Sequence, residues 1–174
     1  MANREAIREL QARLAQRLQA ARTEGRAVQW LAVEARGQRY LFPLAQAGEI
    51  FSWPALQPAP YTQPWFLGVA NLRGGLCGVV DLAAFLSGEP TAPEAERSDC
   101  SLLTFNTALE LNCALVIDRL SGLRGAEAFT ATEPAAAGEP AYVGPVHVDA
   151  AGLRWREIDL LALSQFPAFL SISA

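Results

Sequence analysis

Two apolar runs, Phe66 to Leu72 and Leu76 to Leu82, meet at Arg73-Gly74-Gly75, and this stretch restricts the fold more than any other in the chain. Paired glycines supply positive φ at little steric cost. The three residues therefore read as a turn and the runs as the strands of a β-hairpin. A half-solvated strand alternates apolar and polar residues, but this stretch is almost wholly apolar apart from Asn71, Arg73 and Asp81. Both faces of the hairpin are therefore expected to be covered. Arg73 then lies at the tip of a buried hairpin. It must pair internally or face a partner, because an unpaired buried charge is very costly.

The remaining chain repeats the theme of short strands and turns. Ala27 to Ala35 and Arg39 to Leu44 pair across Arg36-Gly37-Gln38, with Pro43 weakening the end of the second strand. Residues 45–50 read as a helical or irregular link ending in Glu49-Ile50, and Phe51 to Trp53 as a short strand. Pro54, Pro58, Pro60 and Pro64 make residues 54–64 a stiff, extended surface connection. A helical turn follows the central hairpin at Leu82 to Leu86. The polar loop Ser87 to Ser98 is the expected boundary between two lobes. Cys100 to Phe105 and Leu109 to Ile117 form a second hairpin, and Asp118 to Leu123 a turn or short helix. Residues 131–141 form a loop. Tyr142 to Asp149 and Leu153 to Arg156 pair across Ala150-Ala151-Gly152. A terminal helix runs from Ile158 to about Gln165, with Phe169 and Leu170 folded back onto the body. Many short strands with frequent turns suggest small barrels or a sandwich.

The N-terminus differs from this body. Ile7, Leu10, Leu14, Leu18 and Ala21 recur at helical spacing, which predicts an amphipathic helix from Asn3 to about Glu24, ended by Gly25. Its stripe must bury against the body, a second copy or a partner, so self-association through this helix is one expectation. Residues 1–26 hold six Arg and three Glu, a net of +3, while the rest holds eight Arg and fifteen acids, a net of −7. The overall charge of −4 argues against nucleic acid, which demands a basic face. The chain starts on a polar segment, and no apolar run approaches the roughly 18 residues of a membrane span. Cys77, Cys100 and Cys113 are far apart in apolar runs and read as reduced, buried thiols. A cytoplasmic location is expected.

Few residues offer chemistry. The single histidine, His147, alternates with Val146 and Val148 and is expected to face solvent. No cysteine spacing suits zinc, and no glycine loop with a lysine is present to cradle phosphate, since the chain has no lysine. Asp81 and Asp118 each follow an apolar strand and read as caps of the turns behind them. No base–nucleophile or metal set is visible, so neither enzymatic activity nor a cofactor is expected. Two residues remain, Glu49 and Arg73, either as an internal ion pair or as a partner surface anchored by arginine. Trp53, Tyr61 and Trp65 are further candidate anchors.

Gly68-Val69-Ala70-Asn71-Leu72-Arg73-Gly74, followed by Val79-Val80-Asp81-Leu82, resembles the signature of the CheW-like coupling domains of bacterial chemotaxis. Tyr40-Leu41-Phe42-Pro43-Leu44 with Glu49-Ile50 is similar to the family's earlier segment. Leu115 to Leu123 resembles its second motif, and Asp159-Leu160 with Leu163 its closing helix. Gly75 and Cys77 depart from the pattern, standing where a larger and a β-branched residue are usual. The N-terminal helix and Phe166-Pro167-Ala168-Phe169-Leu170 are most similar to the PilI-type couplers of type IV pilus (twitching) systems.

The resemblance implies a mainly β fold of two five-stranded SH3-like barrels sharing a core over residues 27–174. The N-terminal helix at 1–26 and a short C-terminal helix complete it. It also implies a non-catalytic adaptor between the cytoplasmic tip of a methyl-accepting chemoreceptor and the regulatory domain of a CheA-type histidine kinase. Such an adaptor is cytoplasmic and associates with membrane-bound receptor arrays without inserting into the membrane. The implied partner-binding residues are Glu49, Gly68, Asn71, Arg73 and Gly74. The rival reading is a small-ligand sensor with a pocket between the lobes.

Overall fold

A computed structural model describes residues 30–174 and, ahead of them, Ala12. The expected N-terminal helix and the first residues of the expected first strand, 27–29, lie outside the described residues. Among the described residues eleven strands form two sheets. The first pair is β1 (Trp30–Ala35) and β2 (Gln38–Pro43), joined by a turn with positive φ at Arg36 and Gly37. Then come β3 (Ala47–Ser52), the central hairpin β4 (Phe66–Leu72) and β5 (Gly75–Val80), β6 (Ser101–Phe105) and β7 (Cys113–Ile117). The last four are β8 (Arg119–Arg124), β9 (Phe129–Glu133), β10 (Val143–Asp149) and β11 (Arg154–Ile158). One sheet has the order β8-β1-β2-β11-β10-β9 and the other β3-β6-β7-β5-β4. The mainly β, two-sheet expectation holds. The second sheet has the expected five strands, and the first has six because Phe129–Glu133 adds an edge strand beside β10.

From Trp30 the chain therefore starts in the first sheet, builds the whole of the second, and returns. It crosses at residues 44–46 and again at Asp118. The loop at 87–98, expected to divide the lobes, instead joins β5 to β6 inside one sheet. A polar loop marks solvent exposure, and neighbouring strands need such connections as much as lobes do.

Burial explains the missing polar alternation. Successive strand residues point to opposite faces. In β1, Leu31, Val33 and Ala35 enter one cluster while Trp30 and Ala32 enter another. In β7, Cys113, Leu115 and Ile117 join the cluster of Leu31 and Val33, while Ala114 and Val116 face away into a third. The largest cluster draws residues from both sheets and is the shared core; the other two each belong to one sheet. Central strands thus bury both faces and read as continuous apolar runs. The shared core is closed by Phe169, stacked on Trp65 at 5.9 Å and on Phe105 at 6.1 Å.

Within residues 30–174 three short α-helices sit at connections: α1 (Leu82–Ser87), α2 (Leu160–Ser164) and α3 (Pro167–Leu170). Asp81 caps α1, its Oδ1 accepting from Ala84 N at 3.0 Å, and Asp159 caps α2 in the same way. Asp118 is not a helix cap. The segment behind it is strand β8, not a turn or helix, and its Oδ2 accepts from Arg36 N at 2.7 Å, tying the return crossing to the β1–β2 turn. Gln46 does similar work at the other crossing: its Nε2 donates to Asp159 at 3.0 Å and its Oε1 accepts from Leu160 N at 2.8 Å. The proline-rich segment also does more than connect. Gln57 exchanges two 2.9 Å backbone hydrogen bonds with Val69, covering the outer edge of β4.

His147 is buried, contrary to expectation. β10 lies between β9 and β11, so the ring meets Thr132 Oγ1 at 3.1 Å and Glu157 Oε2 at 2.9 Å, with Trp30 4.7 Å away. All three cysteines are free and buried. Burial pushes the Cys77 thiol up to about 11; burial, then Asp118, do the same for Cys100. Cys113 is raised as well, and neutral thiols of this kind are poor nucleophiles.

Candidate functional site

The hairpin β4–β5 turns in two residues. Asn71 pairs with Leu76 and Leu72 with Gly75, leaving Arg73 and Gly74 as the loop. Both have positive φ, 51° and 80°, the backbone of a type I′ turn. Gly75 belongs to the strand, so the first left-handed position falls on an arginine instead of a glycine. Asn71 secures the turn: its Oδ1 accepts from Gly74 N at 2.9 Å.

The left-handed conformation is unfavourable for most L-residues by roughly 1–2 kcal/mol. Arg73 occupies it with its side chain 73% exposed, and the hairpin tip around it is solvated, not covered as the apolar runs suggest. Leu76, its neighbour across the turn, is 69% exposed.

Glu49 reaches Arg73 from β3, the opposite edge strand of the same sheet. Its Oε1 accepts from Arg73 Nη1 at 2.9 Å. A β-bulge aims it. β3 pairs Ala47 with Phe105 and Ile50 with Leu103, so Gly48 and Glu49 together oppose Thr104. Thr104 Oγ1 accepts from Glu49 N at 2.8 Å and donates to Glu49 O at 3.2 Å. Gly48 is required there, because a Cβ would collide with Thr104 Oγ1 and lie 2.7 Å from Phe105 O. Residues 47–50 are thus strand, not the expected link. Two residues along, the Phe51 ring lies under the guanidinium, 5.7 Å from Arg73 Cζ to the ring centre.

The structure brings Glu49, Arg73, Asn71 and Gly74 together at one exposed tip. Gly68 stands apart, buried, at φ 134°, where a Cβ would collide with the Gln57 carbonyl. Of the aromatic candidates, Trp65 packs on Phe169 and Phe85 in the core, Trp53 is half-buried against the second sheet's own cluster, and Tyr61 is 89% exposed. Sequence reasoning missed Phe51, Leu76 and Thr104. The lone Gly48 inside an apolar–polar segment was the available sign of a bulge.

A groove of about 510 Å³ runs beside this tip, lined by Glu49, Phe51, Arg73, Leu76 and the loop at 106–112. Its two thiols, Cys77 and Cys113, are held neutral by burial. Among the described residues no three His, Cys, Asp or Glu side chains are grouped to hold a metal ion, and no helix is long and apolar enough to cross a membrane. What the site offers is a fixed cation with an apolar flank, presented on a rigid turn.

Comparison with known proteins agrees with this architecture. The CheW-like domain profile matches residues 29–165. Protein PilI of Pseudomonas aeruginosa is 26% identical over 141 residues, covering 79% of this chain and 75% of its own. A probable chemotaxis protein CheW of Rhizobium etli is 33% identical over 60 residues, covering 34% of this chain and 39% of its own. The crystal structure of the scaffolding protein TtCheW from Thermoanaerobacter tengcongensis superposes with a TM-score of 0.60 at 16% identity, covering 78% of this chain and 92% of that one. With the profile spanning both sheets and the hairpin motif, the chain belongs to the CheW-like domain family.

Proposed function

We propose that this chain is a non-catalytic coupling scaffold. It would join the cytoplasmic tip of a methyl-accepting chemoreceptor to the regulatory domain of a CheA-type histidine kinase, in a chemosensory pathway that controls type IV pilus twitching. Family membership supports the scaffold role, and the similarity to PilI supports the pilus pathway. Its place in the cell would be the cytoplasmic face of a receptor array.

One observation carries the interface: Arg73 holds an unfavourable backbone conformation while leaving its guanidinium in solvent. Strain concentrated at an exposed charge is a mark of function, since folding alone would favour Asn or Gly at that turn. Glu49 and Phe51 orient the guanidinium, and Asn71 and Gly74 shape the turn beneath it. Gly68 acts indirectly, by letting the Gln57 backbone close on β4.

The test is a pull-down with the receptor tip and the kinase regulatory domain, using wild type and Arg73→Glu. Retained fold with lost binding of one partner is the expected result. Equal binding by the variant would remove Arg73 from the interface. If wild type bound neither partner, the coupling role itself would fall.

A further inference from the structure

We propose that the N-terminal segment of this chain docks on β8 of its own body, laying the stripe of Ile7, Leu10, Leu14, Leu18 and Ala21 against Leu120 and Leu123. Both leucines are exposed, 45% and 62%. In register, Leu120 pairs with Val33 and Leu123 with Leu31, and those two partners point into the shared core. Cross-strand partners share a face, so the leucines carry the core face of the first sheet out to its rim and leave it in water. Among the described residues β8 also ends the strand order of its sheet and has no strand on its far side, an edge that proteins ordinarily cover.

Position and length select the occupant. Trp30, the first residue after the segment, is buried and paired with Arg124 at the end of β8, so the segment leaves the body beside this strand. From Ile7 to Ala21 a helix rises about 21 Å, and six residues of β8 span about 20 Å. The residues between Ala21 and Trp30 reach up to roughly 30 Å when extended, enough for the chain to turn back. The proposal concerns this chain alone and does not depend on the coupling role.

Cysteine pairs in the full chain test it. Leu14→Cys with Leu120→Cys places one thiol on the stripe and one on β8, whereas Gln16→Cys with Leu120→Cys starts from the opposite helical face. Under mild oxidation at low micromolar protein, the first pair should close within the monomer at least about tenfold faster than the second, as a tethered, oriented contact requires. Closure mainly into covalent dimers would assign the stripe to a second copy and overturn the proposal. Failure of the first pair to close faster than the second would overturn it as well. Hydrogen exchange gives a second reading without new cysteines: Leu10→Asp with Leu14→Asp should speed exchange across residues 119–124, and unchanged exchange there would count against docking.

Discussion

Replacing Arg73 by asparagine separates the folding role of the turn from its proposed binding role. The substitution keeps the two-residue loop but puts in it a residue that tolerates the left-handed region. Relief of that strain returns roughly 1–2 kcal/mol. Against this stands the loss of the pair with Glu49, in which the two side chains are 73% and 53% exposed. An ion pair so open to solvent contributes about 0–1 kcal/mol. The cation over Phe51 adds about 0.5–1 kcal/mol at an exposed site. The terms nearly cancel, so Arg73→Asn should change stability by no more than about 1 kcal/mol in urea denaturation, with an unchanged slope. If Arg73 is a binding anchor, the same variant should weaken its partner by about 2 kcal/mol or more. A loss of stability of more than about 2 kcal/mol would show that the pair braces β3 against the hairpin. The reasoning that strain is kept there for binding would then fail.

Other consequences concern the scaffold. Gly68→Ala adds a side-chain carbon against the Gln57 carbonyl at a φ of 134° and should cost about 2–3 kcal/mol, read as a lowered midpoint of thermal unfolding. Asp149→Ala removes the acceptor of the buried Trp155 indole N–H and of two backbone N–H groups, costing about 2 kcal/mol at neutral pH. The Trp155 indole, then the Leu153 and Ala151 N–H groups, hold the Asp149 carboxyl below the usual carboxylate range. Its charge-dependent stabilisation is therefore complete above about pH 4, the unfolded value, and lost as pH falls through the lower folded value. Urea titrations of wild type and variant should converge over that acidic window and stay apart at pH 7. Thiol labelling at pH 8 should be slow at Cys77, Cys100 and Cys113 in the native protein and fast in denaturant, because burial keeps all three neutral; rapid native labelling would contradict the packing.

The elements legible from sequence are those with strong physical signatures. β1, β6 and β7 announce themselves as apolar runs because each buries both faces, one in the shared core and one in its own sheet's cluster. The capping of α1 by Asp81 follows from an acid placed just ahead of a helical run. The edge strands are illegible for the converse reason. Most of β3 is exposed, with only Ala47 buried, and its bulge breaks any alternation. β8 turns two leucines to solvent, and β9 is mostly polar and exposed. The path between sheets escapes local reading because the crossings at 44–46 and Asp118 carry less turn chemistry than the loop at 87–98, which crosses nothing. His147 misleads because alternation fixes its face but not what covers that face. At the candidate site, Glu49 and Arg73 stand out as charges beside apolar strands, and Phe51 does not, since one more aromatic in a strand carries no mark of the cation above it.

The central claim is that this protein holds two partners at once, and sedimentation of a three-component mixture tests it most directly. Receptor tip, kinase regulatory domain and this chain are mixed, and the mass of the fastest species is read with and without the chain. Coupling predicts one complex containing all three, absent when the chain is omitted and lost with Arg73→Glu. Separate binary complexes that never combine, or a receptor–kinase complex indifferent to the chain, would contradict it.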